Sequence, residues 1–146
     1  MVLVPLSGAF PALISMRIID IKIKDIPLAM LQKARREGLT FASNTQLLGL
    51  FDGNELIGFT GLLWYINKVV FKNHYVISGR RRQGLFREML NFSIGLAISQ
   101  GIFKGEATCT TLSLSEYLRR GFRIIKQYRN GMVKVCHENL RKAKCI

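Results

Sequence analysis

The basic run Gly79-Arg80-Arg81-Arg82-Gln83-Gly84 lies between an apolar stretch that ends at Ile77 and another that begins at Leu85. This junction constrains the fold more than any other part of the chain. Residues 69–77 are rich in branched and aromatic side chains, a strand signal. Residues 85–99 carry apolar side chains at 85, 86, 89, 90, 92, 94, 96, 97 and 98. That pattern predicts a helix buried on a broad face and ended by Gly101. A strand, a glycine-bounded loop and a helix therefore follow one another. The first N–H groups of a helix lack internal partners and sit at the positive end of its dipole, so the loop is an anion site. Gly84 has no Cβ and lets a ligand approach the backbone closely. The expected ligand is a phosphate or pyrophosphate at residues 82–87. The competing reading is a basic surface turn that only caps a core helix. The loop is neither G-x-x-x-x-G-K-[ST] nor G-x-G-x-x-G, which disfavours a P-loop and a dinucleotide fold.

The rest of the chain supplies an α/β pattern. Residues 17–23 alternate branched apolar with polar side chains, a strand. Asp25 caps a helix with Pro27 in its first turn, and the helix stops at Gly38. Residues 46–51 and 55–66 form a hairpin about Asp52-Gly53. After the long helix come a strand at 103–111, a short helix at 113–120 ended by Gly121, and a hairpin of 122–128 and 132–137 about Asn130-Gly131. The order is β-α-β-β-β-α-β-α-β-β, a single-domain mixed sheet flanked by helices. Residues 1–15 read as an N-terminal extension, disordered or foreign to the native mature chain. Residues 16–138 form the domain, and residues 139–146 form a basic C-terminal tail that frays.

Charge narrows the partners. Residues 1–67 hold six basic and five acidic side chains, a net of +1, and residues 68–146 hold sixteen and four, a net of +12. A nucleotide cofactor, a nucleic acid or an acidic protein would each answer such a basic half. Three unpaired cysteines, Cys109, Cys136 and Cys145, fit a reducing compartment, and two distant histidines with no C-x-x-C argue against zinc. No uncharged apolar run reaches the length of a membrane span, so the expectation is a cytoplasmic protein with no membrane partner.

Three motifs in order carry a family resemblance. Residues 47–122 resemble the GNAT superfamily of acyl-CoA-dependent N-acetyltransferases. That family carries [QR]-x-x-G-x-[GA] after its fourth strand, and Arg81-Arg82-Gln83-Gly84-Leu85-Phe86 matches it up to the last residue, where Phe86 replaces Gly or Ala. It carries a tyrosine four residues before Gly-Phe, matched by Tyr117 and Gly121-Phe122. Its second and third strands resemble the hairpin about Asp52-Gly53, with Gly58-Phe59. The family's frequent asparagine ahead of the tyrosine helix is replaced here by Thr108-Cys109-Thr110-Thr111.

The resemblance implies an acetyl-CoA donor with its pyrophosphate on Arg81, Arg82, Gln83, Gly84, Leu85, Phe86 and Arg87. A backbone N–H of Val76 or Ile77 would serve the oxyanion. Tyr117 would be the acid for the leaving thiolate, against the alternative of a residue packed at the core edge. His74, on the strand leading to the loop, is the candidate base, and water relaying to solvent or a merely structural histidine are its alternatives. The first helix and the loop after it, with Phe41, Trp64 and Tyr65 as candidate lining, would shape an open acceptor cleft. The implied reaction is direct acetyl transfer from acetyl-CoA to a primary amine in a ternary complex, with a protein or modified nucleic acid as acceptor. A basic nucleic-acid-binding or structural protein that keeps the fold without catalysis is the alternative. Expected partners are acetyl-CoA, an unidentified amine, a nucleic acid and a second copy in a homodimer.

Overall fold

Apolar alternation at one end and glycine-led turns between strands build a mixed sheet, and a computed structural model describes residues 3–5 and 16–144. In chain order the elements are β1 (Leu3–Pro5), β2 (Met16–Ile21), α1 (Leu28–Arg36), β3 (Gln46–Asp52), β4 (Glu55–Trp64), β5 (Lys68–Val76), α2 (Leu85–Ser99), β6 (Lys104–Cys109), α3 (Thr111–Arg119), β7 (Arg123–Gln127) and β8 (Val133–His137). The strand order is β1-β2-β3-β4-β5-β6-β8-β7. The sheet is mostly antiparallel, with β5 and β6 parallel. From β2 onward the order of strands and helices is the one the sequence predicts.

The described residues fall into two compact units. The first holds residues up to Gly61 together with Asn73–Met89. In it β2 pairs antiparallel with β3 from Met16↔Asp52 to Ile21↔Leu47. Its core gathers Ile21, Ile26, Ala34, Leu47, Leu56, Phe59 and Tyr75, with the Phe59 and Tyr75 rings stacked at 5.4 Å. Leu3–Pro5, inside the stretch read as an extension, pair with Ile19–Arg17 of β2 and cover an edge that would otherwise be open. The remainder of that extension lies outside the described residues. Helix α1 begins two residues later than expected. Asp25 instead accepts from the Lys22 N–H at 2.8 Å and closes a 3-10 turn at Ile23–Asp25, leaving Pro27 at the cap of α1.

The second unit holds Leu62–Lys72 and the residues from Leu90 onward. Here β5 pairs parallel with β6 from Lys68↔Lys104 to Phe71↔Ala107, and β8 joins β6 to β7. A Cβ on Gly105 of β6 would come within 2.8 Å of Phe71 and 3.1 Å of Leu140, so a glycine there is a packing requirement. The tail expected to fray does not do so through Lys144. Leu140 is buried, and its N–H donates to Phe103 O at 2.6 Å. Leu140–Lys142 make a 3-10 turn, and the Lys144 N–H donates to Arg120 O at 3.2 Å. One apolar anchor with two backbone bonds outweighs the charge that argued for fraying. Among the described residues no helix is long and apolar enough to cross a membrane.

Candidate functional site

In the first unit β5 ends at Val76, Ser78–Arg80 make one 3-10 turn, and α2 starts at Leu85. Between them Arg82 and Gly84 adopt left-handed φ values of 66° and 77°. Gly84 does so freely, whereas a non-glycine residue held there stores about 1 kcal/mol or more, a kind of strain that gathers at functional loops. Left-handed residues in such a run turn successive N–H groups to one side, making a concavity for anions. Among the described residues Arg82, Gln83 and Gly84 donate no backbone hydrogen bond. The first helical bond runs from the Glu88 N–H to Gly84 O at 3.1 Å, so the N–H groups of Leu85, Phe86 and Arg87 lie ahead of it. A Cβ on Gly84 would meet no atom within 4 Å, so the space before the loop is open. The backbone therefore has the form of an anion site.

The side chains divide the work differently from the sequence expectation. Arg80 lies 3.1 Å from Asp52 and donates to Gln83 Oε1 at 3.2 Å. Arg81 donates to both Glu37 oxygens at 2.9 and 3.2 Å, donates to Val76 O at 2.7 Å, and lies over the Tyr75 ring. The side chains of Arg81 and Gln83, read as cofactor ligands, are thus committed to bracing the loop, because carboxylates and carbonyls stand within their reach. Arg82 is exposed and has no carboxylate partner among the described residues. Leu85 is buried, and Phe86 sets its ring edge-on to His74 at 4.7 Å.

His74 is a poor candidate base. Its Nδ1 shares a 2.5 Å hydrogen bond with Thr60 Oγ1, and burial lowers its pKa to about 4. A base for an amine needs a pKa nearer the working pH. Of the two oxyanion candidates, the Ile77 N–H is already spent on Ile57 O at 2.9 Å. Successive strand N–H groups point to opposite sides, so the Val76 N–H faces away from β4.

One residue near these groups carried no sequence signal beyond asparagine's tolerance of left-handed backbone. Asn73 holds φ at 58° within β5, is buried, and donates to Thr40 O at 2.7 Å while its Oδ1 has no partner. It ties β5 to the loop after α1. Phe41 of that loop packs on Phe59 at 5.7 Å and lines a groove of about 380 Å³ with Asp20, Lys22, Asn44 and Gln46. Trp64 and Tyr65, the other expected lining residues, belong to the second unit, where Lys68 covers the Tyr65 ring.

Tyr117 also belongs to the second unit. It is fully buried, edge-on to Phe122 at 5.2 Å. Burial pushes its phenol far above the usual range, Cys109 adds to the effect and the Arg120 charge opposes it. The phenol is therefore neutral and keeps a proton to donate. Arg120 is itself fully buried. It donates to Asn91 Oδ1 at 2.8 and 3.0 Å, to Glu116 O at 2.7 Å and to Glu116 Oε1 at 3.1 Å. The i,i+4 spacing of Glu116 and Arg120 was a sequence signal for that pair, though not for its burial.

This architecture is that of the GNAT acetyltransferases. The chain superposes on an IAA acetyltransferase from Bacillus cereus ATCC 14579 with a TM-score of 0.69 at 21% identity, covering 85% of this chain and 99% of that one. It superposes on a GNAT family acetyltransferase from Elizabethkingia anophelis, solved with acetyl-CoA bound, with a TM-score of 0.67 at 20% identity, covering 85% and 98%. The ribosomal-protein-S18-alanine N-acetyltransferase from Escherichia coli gives a TM-score of 0.69 at 15% identity, covering 83% and 92%. No family model matches the chain, and no curated protein matches it in sequence.

Proposed function

We propose that this chain is an acetyl-CoA-dependent N-acetyltransferase. The observation that carries the reading is the loop before α2, where left-handed Arg82 and Gly84 leave backbone N–H groups without partners in front of an open face. Acetyl-CoA fits because its pyrophosphate matches that backbone and its thioester supplies an acyl group activated toward amines. The N–H groups of residues 83–87 would hold the pyrophosphate, with Arg82 adding charge. The Val76 N–H would donate to the carbonyl oxygen as charge develops on it. In the transfer, the amine nitrogen bonds to the carbonyl carbon and the carbon–sulfur bond breaks. The amine proton leaves to water and the departing sulfur takes up a proton, a role for which the family resemblance names Tyr117. The amine is primary, and a macromolecular acceptor agrees with an open groove by Phe41 rather than a deep pocket.

The test is thermal unfolding with and without acetyl-CoA. At about a hundred times Kd, ligand linkage stabilises the folded state by about 2.7 kcal/mol, a rise of roughly 5 to 10 °C for a domain of this size. No rise at saturating acetyl-CoA overturns the proposal.

A further inference from the structure

The second unit holds twelve lysines and arginines against three glutamates, a net of +9. Each of the three carboxylates is already paired. Glu106 lies 3.2 Å from Lys68 and 3.6 Å from Lys134. Glu116 lies 3.4 Å from Arg119 and 3.1 Å from Arg120, and Glu138 lies 2.9 Å from Arg123. Those pairs take five cations, and among the described residues the other seven have no carboxylate within ion-pair distance. Five of the seven, Lys126, Arg129, Arg141, Lys142 and Lys144, follow one another along the β7–β8 hairpin and the 3-10 turn after it. The turn is fastened beside the start of β7 through the Lys144 bond to Arg120 O. Such charge repels itself until a polyanion neutralises it.

The surface has other features that select the polyanion. All five residues of β7 are exposed, and β7 is the last strand of the sheet. Lys126 lies over the exposed Tyr128 ring at 4.9 Å, and the Arg141 guanidinium lies over Phe103 at 4.1 Å. Planar groups interleaved with cations suit stacked bases between phosphates. The five cations sit on a strand and turns, the part of α2 in this unit has no charged residue and Arg119 of α3 is paired with Glu116, so neither helix of this unit offers a free basic face for a major groove. We infer that the β7–β8 hairpin and the Leu140–Lys142 turn form a binding surface for single-stranded nucleic acid.

The inference is independent of the acetyl-CoA site and is tested apart from it. Fluorescence anisotropy of the full chain is measured with oligo(rU) and oligo(dT) of about 20 nucleotides. Five phosphate contacts give a salt slope of about −3.5, so affinity falls roughly 100-fold between about 50 and 200 mM salt. The variant Lys126→Ala/Arg129→Ala/Lys142→Ala/Lys144→Ala should lower the slope to about −1 or less while unfolding cooperatively like the parent. A preference between the two oligomers identifies RNA or DNA as the source. A parental slope shallower than about −1 overturns the inference, as does a quadruple variant that binds like the parent. So does tighter binding to a duplex, to polyglutamate or to phosphatidylserine vesicles.

Discussion

Arg81 holds both carboxylate oxygens of Glu37 at 2.9 and 3.2 Å while its Nε donates to Val76 O at 2.7 Å. One side chain thus links the end of α1, the end of β5 and the loop before α2. Its charge is neutralised before any ligand arrives. Arg82→Ala is therefore expected to weaken acetyl-CoA binding about tenfold, the loss of one charge-assisted contact. Arg81→Ala should weaken it only about two- to threefold, and its exposed ion pair is worth no more than about 1 kcal/mol of stability. Calorimetric titration of both variants decides the matter, and the reverse ranking would make Arg81 a phosphate ligand.

Gly84 and Gly131 both have positive φ, at 77° and 87°, and a Cβ on either meets nothing within 4 Å. Alanine at each should cost a similar 1 kcal/mol or so of backbone strain. Only Gly84→Ala places a methyl group where the pyrophosphate is proposed to lie. Both variants should melt slightly early, and only Gly84→Ala should lose the acetyl-CoA-induced rise in Tm.

Burial holds the His74 pKa near 4, below its ordinary 6.5. In that window the unfolded chain binds a proton that the folded chain refuses, so stability falls as pH drops from about 6.5 to about 4. The loss is at most about 3 kcal/mol. Denaturant melts at pH 7 and pH 4.5 should show a smaller gap in His74→Gln than in the parent. An unchanged gap means that other groups carry the acid sensitivity.

Tyr117→Phe removes one hydroxyl from a fully buried ring. If the phenol serves the leaving thiolate, kcat drops about 10²-fold while the KM for acetyl-CoA holds. Turnover that survives intact assigns Tyr117 to packing alone.

Arg120→Met strips the donors from Asn91 Oδ1 and Glu116 O inside the second unit. Removing one partner of a buried charged network costs about 3 kcal/mol. Urea unfolding of this variant, compared with the exposed Arg119→Met, should show most of the loss at position 120.

The fold was legible because periodicity and turn chemistry agreed. Asp52-Gly53 and Asn130-Gly131 marked two hairpins, and both glycines have the positive φ such turns require. Helix α2 was readable to its ends, since apolar spacing and a following glycine bounded it. The loop's place between a strand and a helix was legible too, since β5 ends at Val76 and α2 starts at Leu85. The division of labour among Arg80, Arg81 and Arg82 was not, because three adjacent arginines differ only in which carboxylates the fold brings near them. The departure at Phe86 was visible but its outcome was not, since the ring's partner is His74, twelve positions earlier. Arg120 follows Arg119 in a basic stretch with nothing in the sequence to set the two apart, and only tertiary structure buries it. At Asn73 asparagine's tolerance of left-handed backbone was the one hint, and its place inside an apolar strand hid it.

Gly105 lets Phe71 and Leu140 close over the backbone of β6 with no room for a methyl group. Tolerance at position 105 is therefore borrowed from positions 71 and 140. Across diverging descendants the three sites should drift as a set, with a larger residue at 105 appearing only after one of its two neighbours has shrunk.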